Sequence, residues 1–323
     1  MSETQRKFFM GLRTFYTDII TPLLVKIPLG SRLNAALVAF CADLRVSTAP
    51  YGQSPCNKFY TDAEIEKIFA ELNNDSIELA KRFMHRQINM PAESYFIHPK
   101  YFYTQKERNE FKLLQSDYKK ACKKYKYRYD EVGVESLYYH HGLRFAPDYI
   151  KNNIAGKLFG DVGGFLGDSA LVFMNYDPGK VVIFEPMTPC QTAMLKILNE
   201  NSIPREKYDI QPFALSDKAE IVDDMQCKTL DEISMQYSKP FGVLKADIEG
   251  MGLKFVKGAE QTIKRDRPLL SLSIYHNADE FAGIYQTLKS WNLNYHYELK
   301  QFSPMKAWSE LSLLAYPKEW INP

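Results

Sequence analysis

Residues 157–168 read KLFGDVGGFLGD, and the fold is decided there. Leu158, Phe159 and Val162 make a short apolar run around Asp161, followed by a loop with glycines at Gly163, Gly164 and Gly167. A helix is expected from Asp168 and Ser169 onward, carrying Ala170, Leu171, Val172, Phe173 and Met174. Strand, glycine loop and helix in this order let backbone come close to a ligand, because glycine has no Cβ in the way.

Further units follow toward the carboxyl terminus. The run Val181 to Pro186, VVIFEP, is almost wholly apolar and closes on Glu185, as in a strand covered on both faces of a parallel sheet. Thr188 and Pro189 open the next helix. A third strand is expected over Tyr208 to Leu215, before Ser216 and Asp217. Phe241 to Ala246 is a fourth, ending in Asp247-Ile248-Glu249-Gly250 with one helix from about Gly252 to Lys264. Pro268 to Tyr275 is a fifth, before His276, and two late strands lie near Tyr295 to Lys300 and Leu311 to Tyr316. The alternation predicts an α/β fold with a doubly wound parallel sheet.

Ligands of such sheets bind beyond the carboxyl ends of the strands. Glu185 lies twenty-two residues after Gly163, where a carboxylate can accept both hydroxyls of a ribose. Dinucleotide-binding and adenosylmethionine-binding folds share that geometry. The loop lacks the GxGxxG order, and Asp161 is placed to face a cationic ligand group, which suits a sulfonium and repels a pyrophosphate.

Before about Tyr129 the pattern is mainly helical. Thr61 with Glu64 caps a helix bearing Ile65, Ile68, Phe69 and Leu72, and a second helix bears Ile77, Leu79, Ala80 and Phe83. A third runs from about Thr104 to Lys124 with a stripe of Phe111, Leu114, Tyr118 and Cys122. Its end, YKKACKKYKYRY over Tyr118 to Tyr129, is either a surface for phosphate-bearing ligands or a solvated face and linker. His140 and His141 diverge on any regular element, so they make a poor metal pair.

Composition bounds the rest. Of 323 residues, 45% are hydrophobic and 25% charged, as in soluble globular proteins. A net charge of +2 implies no general affinity for nucleic acid. Five irregularly spaced cysteines fit reduced thiols in a cytoplasmic protein. In residues 1–30 the uncharged run from Ile19 to Val25 falls short of the ~20 residues of a membrane helix, and Pro22 interrupts it. A packed amphipathic helix is expected, with peripheral membrane or glycolipid contact as the other use of such a segment.

The ordered set DVGGFLGDSAL, IFEP, FALSD, VLKADIEGMGLKFVKGAE and PLLSLSIYH resembles the FkbM-type family of S-adenosylmethionine-dependent methyltransferases, with YHHGL as lead-in. The resemblance implies a class I (Rossmann-like) seven-stranded methyltransferase sheet with a final antiparallel strand over residues 130–323. Residues 1–129 then form an added helical region for substrate binding or homo-oligomerisation. The implied reaction is methylation of a hydroxyl, commonly on a sugar or polyketide. Asp161, Gly163, Gly164, Phe165, Gly167, Asp168 and Ser169 would cradle the methionine part of the cofactor; Glu185 with Pro186 would take the ribose. Ala214, Leu215, Ser216 and Asp217 would border the adenine, and Asp247 would stand between cofactor and acceptor.

Asp247 is the first candidate base, with His276, His140 and His141 as competitors and Glu249 either catalytic or holding the turn. Asp247 and Glu249 with a histidine would suit a divalent metal, yet no spacing compels one. Two positions depart from the family: Gly252 stands where an acidic residue is usual, and Gly164 where alanine is common. Gly252 keeps open a non-catalytic interaction module as an alternative; an NAD-dependent oxidoreductase is the other, disfavoured by the missing GxGxxG.

Overall fold

The structure is a computed structural model that describes residues 45–46, 58–89, 95–96, 104–127, 133–222, 224–303 and 309–321. The amino-terminal segment 1–30, the side chain of Phe111, Cys41 and Cys56 lie outside what is described.

Two two-residue strands, β1 (Arg45–Val46) and β2 (Tyr95–Phe96), pair with each other. The main sheet contains β3 (Leu158–Val162), β4 (Lys180–Phe184) and β5 (Tyr208–Gln211). A small sheet holds β6 (Ala214–Leu215), β7 (Glu220–Val222) and β8 (Met225–Lys228). The main sheet is completed by β9 (Phe241–Ala246), β10 (Leu269–Ser273), β11 (Tyr295–Gln301) and β12 (Leu311–Pro317). Its seven strands run in the order β11-β12-β10-β9-β3-β4-β5. β10, β9, β3, β4 and β5 are parallel, while β12 is antiparallel to both of its neighbours. This is the seven-stranded arrangement with one reversed strand that the sequence implies.

The core shows why the strands read as continuous apolar runs. Along β4, Val182 and Phe184 join one hydrophobic cluster, and Val181 and Ile183 join the other on the opposite face. Residues before 130 contribute to both. Phe69 and Phe83 pack around Phe281 in the first cluster, and Cys122 enters the second. The helices Asp62–Ile68 and Gln105–Cys122 start on the capping boxes of Thr61 with Glu64 and Thr104 with Glu107. Among the tyrosines near the basic run, Tyr118, Tyr125 and Tyr127 pack against the second cluster, so that segment faces inward with its rings.

Two expected elements differ. The third strand stops at Gln211 and the chain continues as β6 in the small sheet, because Pro212 has no N–H to extend the ladder. The helix expected from Gly252 to Lys264 is two helices, Gly252–Gly258 and Glu260–Asp266, meeting at Ala259. Among the described residues no helix is long and apolar enough to cross a membrane.

Candidate active site

A cavity of ≈ 830 Å³ opens at the carboxyl ends of β3, β4 and β9. Gly163, Phe165, Asp168, Ser169, Glu185, Pro186, Ala214, Leu215, Asp247, Glu249 and His141 all line it. Asp161, Gly164, Gly167, Ser216, Asp217, His140 and His276 do not.

The glycine loop is held by backbone contacts. Glu185 Oε2 accepts the N–H of Phe165 (2.8 Å), and its Oε1 accepts the N–H of Met187 (2.9 Å). A second lone pair on each oxygen remains for a ligand. Gly163 has φ +81°, and a Cβ there would stand 2.1 Å from the carbonyl oxygen of Asp247. The loop and the turn after β9 therefore touch backbone to backbone. A Cβ at Gly164 would lie 2.1 Å from Ile183 Cγ2, which accounts for glycine at a position where the family commonly has alanine. Phe165 (φ 42°), His141 (φ 50°) and Glu249 (φ 47°) also take left-handed backbone at the cavity wall, a strain that persists only where surroundings enforce it.

Asp161 is wholly buried, and the cation it faces belongs to the chain. Lys245 Nζ donates to Asp161 Oδ1 (3.0 Å) and to the carbonyl of Gly163 (2.8 Å). Burial pushes the Asp161 carboxyl up to about 6 against the pull of Lys245. Burial also works against the charge on Lys245, but Asp161, Asp247 and Asp168 outweigh it and raise its proton affinity. The pair is ionised at neutral pH, and Asp161 acts on a ligand only through the loop. Ser216 and Asp217 miss the cavity because the backbone of Ser216 is pressed against Gly258, where a Cβ would lie 1.9 Å from the Ser216 carbonyl oxygen.

The other wall is made of paired charges. His276 Nε2 lies 3.1 Å from Asp247 Oδ1, its Nδ1 lies 2.8 Å from Glu280 Oε2, and its ring packs at a tilt against Tyr275, centroids 4.1 Å apart. The Tyr275 hydroxyl is 3.4 Å from both Asp247 oxygens. Burial opposes the charge on His276, yet Asp247 and Glu280 together raise it to about 10. Burial would raise Asp247, but His276, Lys245 and His141 hold it far below the usual carboxylate range.

These charges sort the candidate bases. The charge that Asp247 and Glu280 hold on His276 leaves its ring without a lone pair to accept a proton at neutral pH. His140 turns away to the Tyr176 hydroxyl (2.7 Å), and burial lowers it to about 4. His141 faces the cavity as a neutral imidazole, lowered by burial and by Lys245, with Nε2 2.9 Å from Ser169 Oγ. Glu249 has a side chain 94% exposed and accepts no backbone amide among the described residues, so it does not hold the turn through its carboxylate. Among the described residues no group of three or more His, Cys, Asp or Glu is arranged to hold a metal ion.

Sequence reasoning missed Lys245, Asn277 and Glu280. The signal for Lys245 was present: a lysine inside a strand buried on both faces must have a carboxylate partner. Glu280 stands four residues after His276, a spacing that could have suggested the pair, whereas its contact with Gly252 lies 28 residues away.

Comparison with known proteins agrees with this architecture. Residues 191–299 match the model of the Methyltransferase FkbM domain. No curated protein matches the chain. Among solved structures, Methyltransferase FkbM from Methylobacillus flagellatus superposes with a TM-score of 0.55 at 16% identity, over 78% of this chain and 58% of that one. An O-methyltransferase from Bacillus cereus in complex with SAH gives a TM-score of 0.41 at 9% identity, over 67% of this chain and 91% of that one. An rRNA methylase from Streptococcus thermophilus gives 0.40 at 10%, over 53% and 92%. The chain thus spans less than two thirds of the M. flagellatus protein, with which it shares its fold. The similarity to the FkbM methyltransferase domain covers residues 191–299, which hold the FALSD, DIEG and PLLSLSIYH motifs.

Proposed function

We propose that the protein is an S-adenosylmethionine-dependent O-methyltransferase acting on a hydroxyl of a sugar, glycan or related metabolite. The observation that carries this reading is the charge of the cavity wall. Five carboxylates line it, Glu135, Asp168, Glu185, Asp247 and Glu249, against one cation, Lys245, itself engaged by Asp161. Such a wall favours a sulfonium and opposes the pyrophosphate of a dinucleotide.

The residues present fit the cofactor. Glu185 would hold the ribose, and Phe184, Pro186, Ala214 and Leu215 supply an apolar slot for the base. Gly163 lets the loop pack directly on the carbonyl of Asp247, which brings the two walls of the cavity together. When bound, the cofactor supplies an electrophilic methyl group on a cationic sulfur. Asp247 faces the cavity as a carboxylate and would accept the hydrogen bond of an incoming hydroxyl, fixing the oxygen in line. So weak a base takes the proton only as the oxygen becomes acidic in the transition state. His141, neutral and in the same cavity, is the second acceptor available.

Calorimetry tests the reading. Adenosylmethionine should bind and NAD should not, and Glu185→Gln should weaken binding by roughly 10- to 100-fold, the worth of hydrogen bonds to a charged group. Transfer of labelled methyl groups to hydroxylated acceptors from a cell-envelope extract should follow. Binding of NAD alone would overturn the proposal, and cofactor binding without any transfer would leave the interaction module.

A further inference from the structure

The wall behind Asp247 contains a buried carboxylate that does not reach the cavity. Glu280 is 1% exposed and sits in a single π-helical turn, Asp279–Gly283, at the head of the helix after β10. Such turns are rare and frequently fall at functional sites. A carboxylate this deep is stable only if its oxygens are satisfied. Oε1 accepts the N–H of Gly252 (2.6 Å), and Oε2 meets His276 Nδ1 (2.8 Å). Asn277 locks the arrangement: its Oδ1 accepts the N–H of Glu280 (2.8 Å), and its Nδ2 donates to the carbonyl of Gly250 (3.1 Å). The turn carrying Asp247 to Gly250 is thereby tied to the turn carrying Glu280.

Gly252 is the seat of this carboxylate. A Cβ at 252 would stand 2.8 Å from Glu280 Oε1. A side chain at 252 and the observed position of Glu280 exclude one another.

We propose that Glu280 is a positioning residue of the active site: seated on Gly252, it fixes His276 against Asp247 and so aims the Asp247 carboxylate into the cavity. The proposal rests on the function proposed above. The chain of contacts is Gly252 N–H, Glu280, His276, Asp247, and only its last member lines the cavity. The charged groups facing His276 are Asp247, Glu280 and, at 3.8 Å, Glu249. Glu249 is exposed to solvent, so Glu280 and Asp247 set the state of the ring. A cationic His276 is hydrogen-bonded to Glu280 through Nδ1 and ion-paired with Asp247 on its Nε2 side, which lets one ring hold two carboxylates at once.

The experiment is nitrogen-15 NMR of labelled histidine in the intact protein, titrated from about pH 6 to 11, with methyl transfer measured over the same range. In the unmodified protein His276 should stay doubly protonated to about pH 10. In Glu280→Gln its titration should fall by at least about one pH unit, a tenfold loss of proton affinity. Gly252→Ala, which keeps Glu280 but displaces it, should move the titration the same way by less. The kcat of Glu280→Gln should fall about tenfold or more while cofactor affinity holds, the alkaline limb should move down with the titration, and Glu280→Asp should recover part of both. An unmoved His276 titration in Glu280→Gln overturns the proposal. So does a loss of kcat with the limb in place, which would mark a structural role only. The titration needs no turnover: an unmodified protein without methyl transfer would refute the proposed function and still leave the contact chain to be judged.

Discussion

The two walls of the cavity are built from different material. On the β3–β4 side the wall is built on backbone: the glycine loop, of which Gly163 lines the cavity, and a carboxylate, Glu185, bound to two main-chain N–H groups. On the β9–β10 side it is side chain on side chain: Asp247 lines the cavity, backed by His276, Glu280 and Tyr275. A backbone wall tolerates almost no change of shape, whereas a charge-paired wall is sensitive to protonation. Lys245 joins them, rising from β9 to bind Asp161 and the carbonyl of Gly163.

The largest expected effect comes from breaking that link. Lys245→Met leaves Asp161 buried without its cation and should destabilise the protein by ~3–5 kcal/mol in a denaturant titration, with Asp161→Asn recovering much of it in the double variant. Additive single effects would show that the walls are not coupled through this pair. Next, Asp247→Asn keeps the shape of the charged wall and removes its charge. Turnover should drop by ~10²-fold or more with adenosylmethionine binding retained, measured by initial rates and calorimetry. Near-normal turnover would take Asp247 out of the mechanism.

The smallest effect is on stability against pH. His276 carries a raised pKa in the folded protein, so its charge contributes stability in full below pH 6.5, less as pH rises, and none above about 10. The Tm advantage of the unmodified protein over His276→Gln should therefore be greatest near pH 6 and shrink by a few degrees toward pH 10. A constant difference would mean that the ring is not charged in the fold.

This contrast also explains what the sequence could show. The backbone wall was legible because glycines and strand-end carboxylates carry their meaning at fixed spacing: Gly163 to Glu185 needs no tertiary knowledge. The β9, β10, β11 and β12 runs were legible for the same reason, through their burial pattern. The charged wall was only half legible. Asp247 and His276 stand at strand ends, but which of them carries the proton depends on Glu280, brought in by a π-helical turn that has no sequence signature. Asp161 was assigned a ligand cation because its internal partner, Lys245, lies 84 residues away. Ser216 and Asp217 miss the cavity because Ser216 packs on Gly258, a contact 42 residues away in the chain that no local spacing announces.

One contact of the amino-terminal helices reaches further than packing. Strand β11 is the outer strand of the sheet, and the N–H of Leu299 on it donates to Ser76 Oγ (3.0 Å) at the start of the Asn74–Asn89 helix. Outer strands with free main-chain groups recruit strands from other molecules. The helix closes this edge with a hydroxyl, while Arg86 on the same helix anchors it to Glu107 through two bonds of 2.8 and 2.7 Å. The helical segment therefore covers this edge of the sheet at Leu299, at a main-chain group that would otherwise be open to a strand from another molecule.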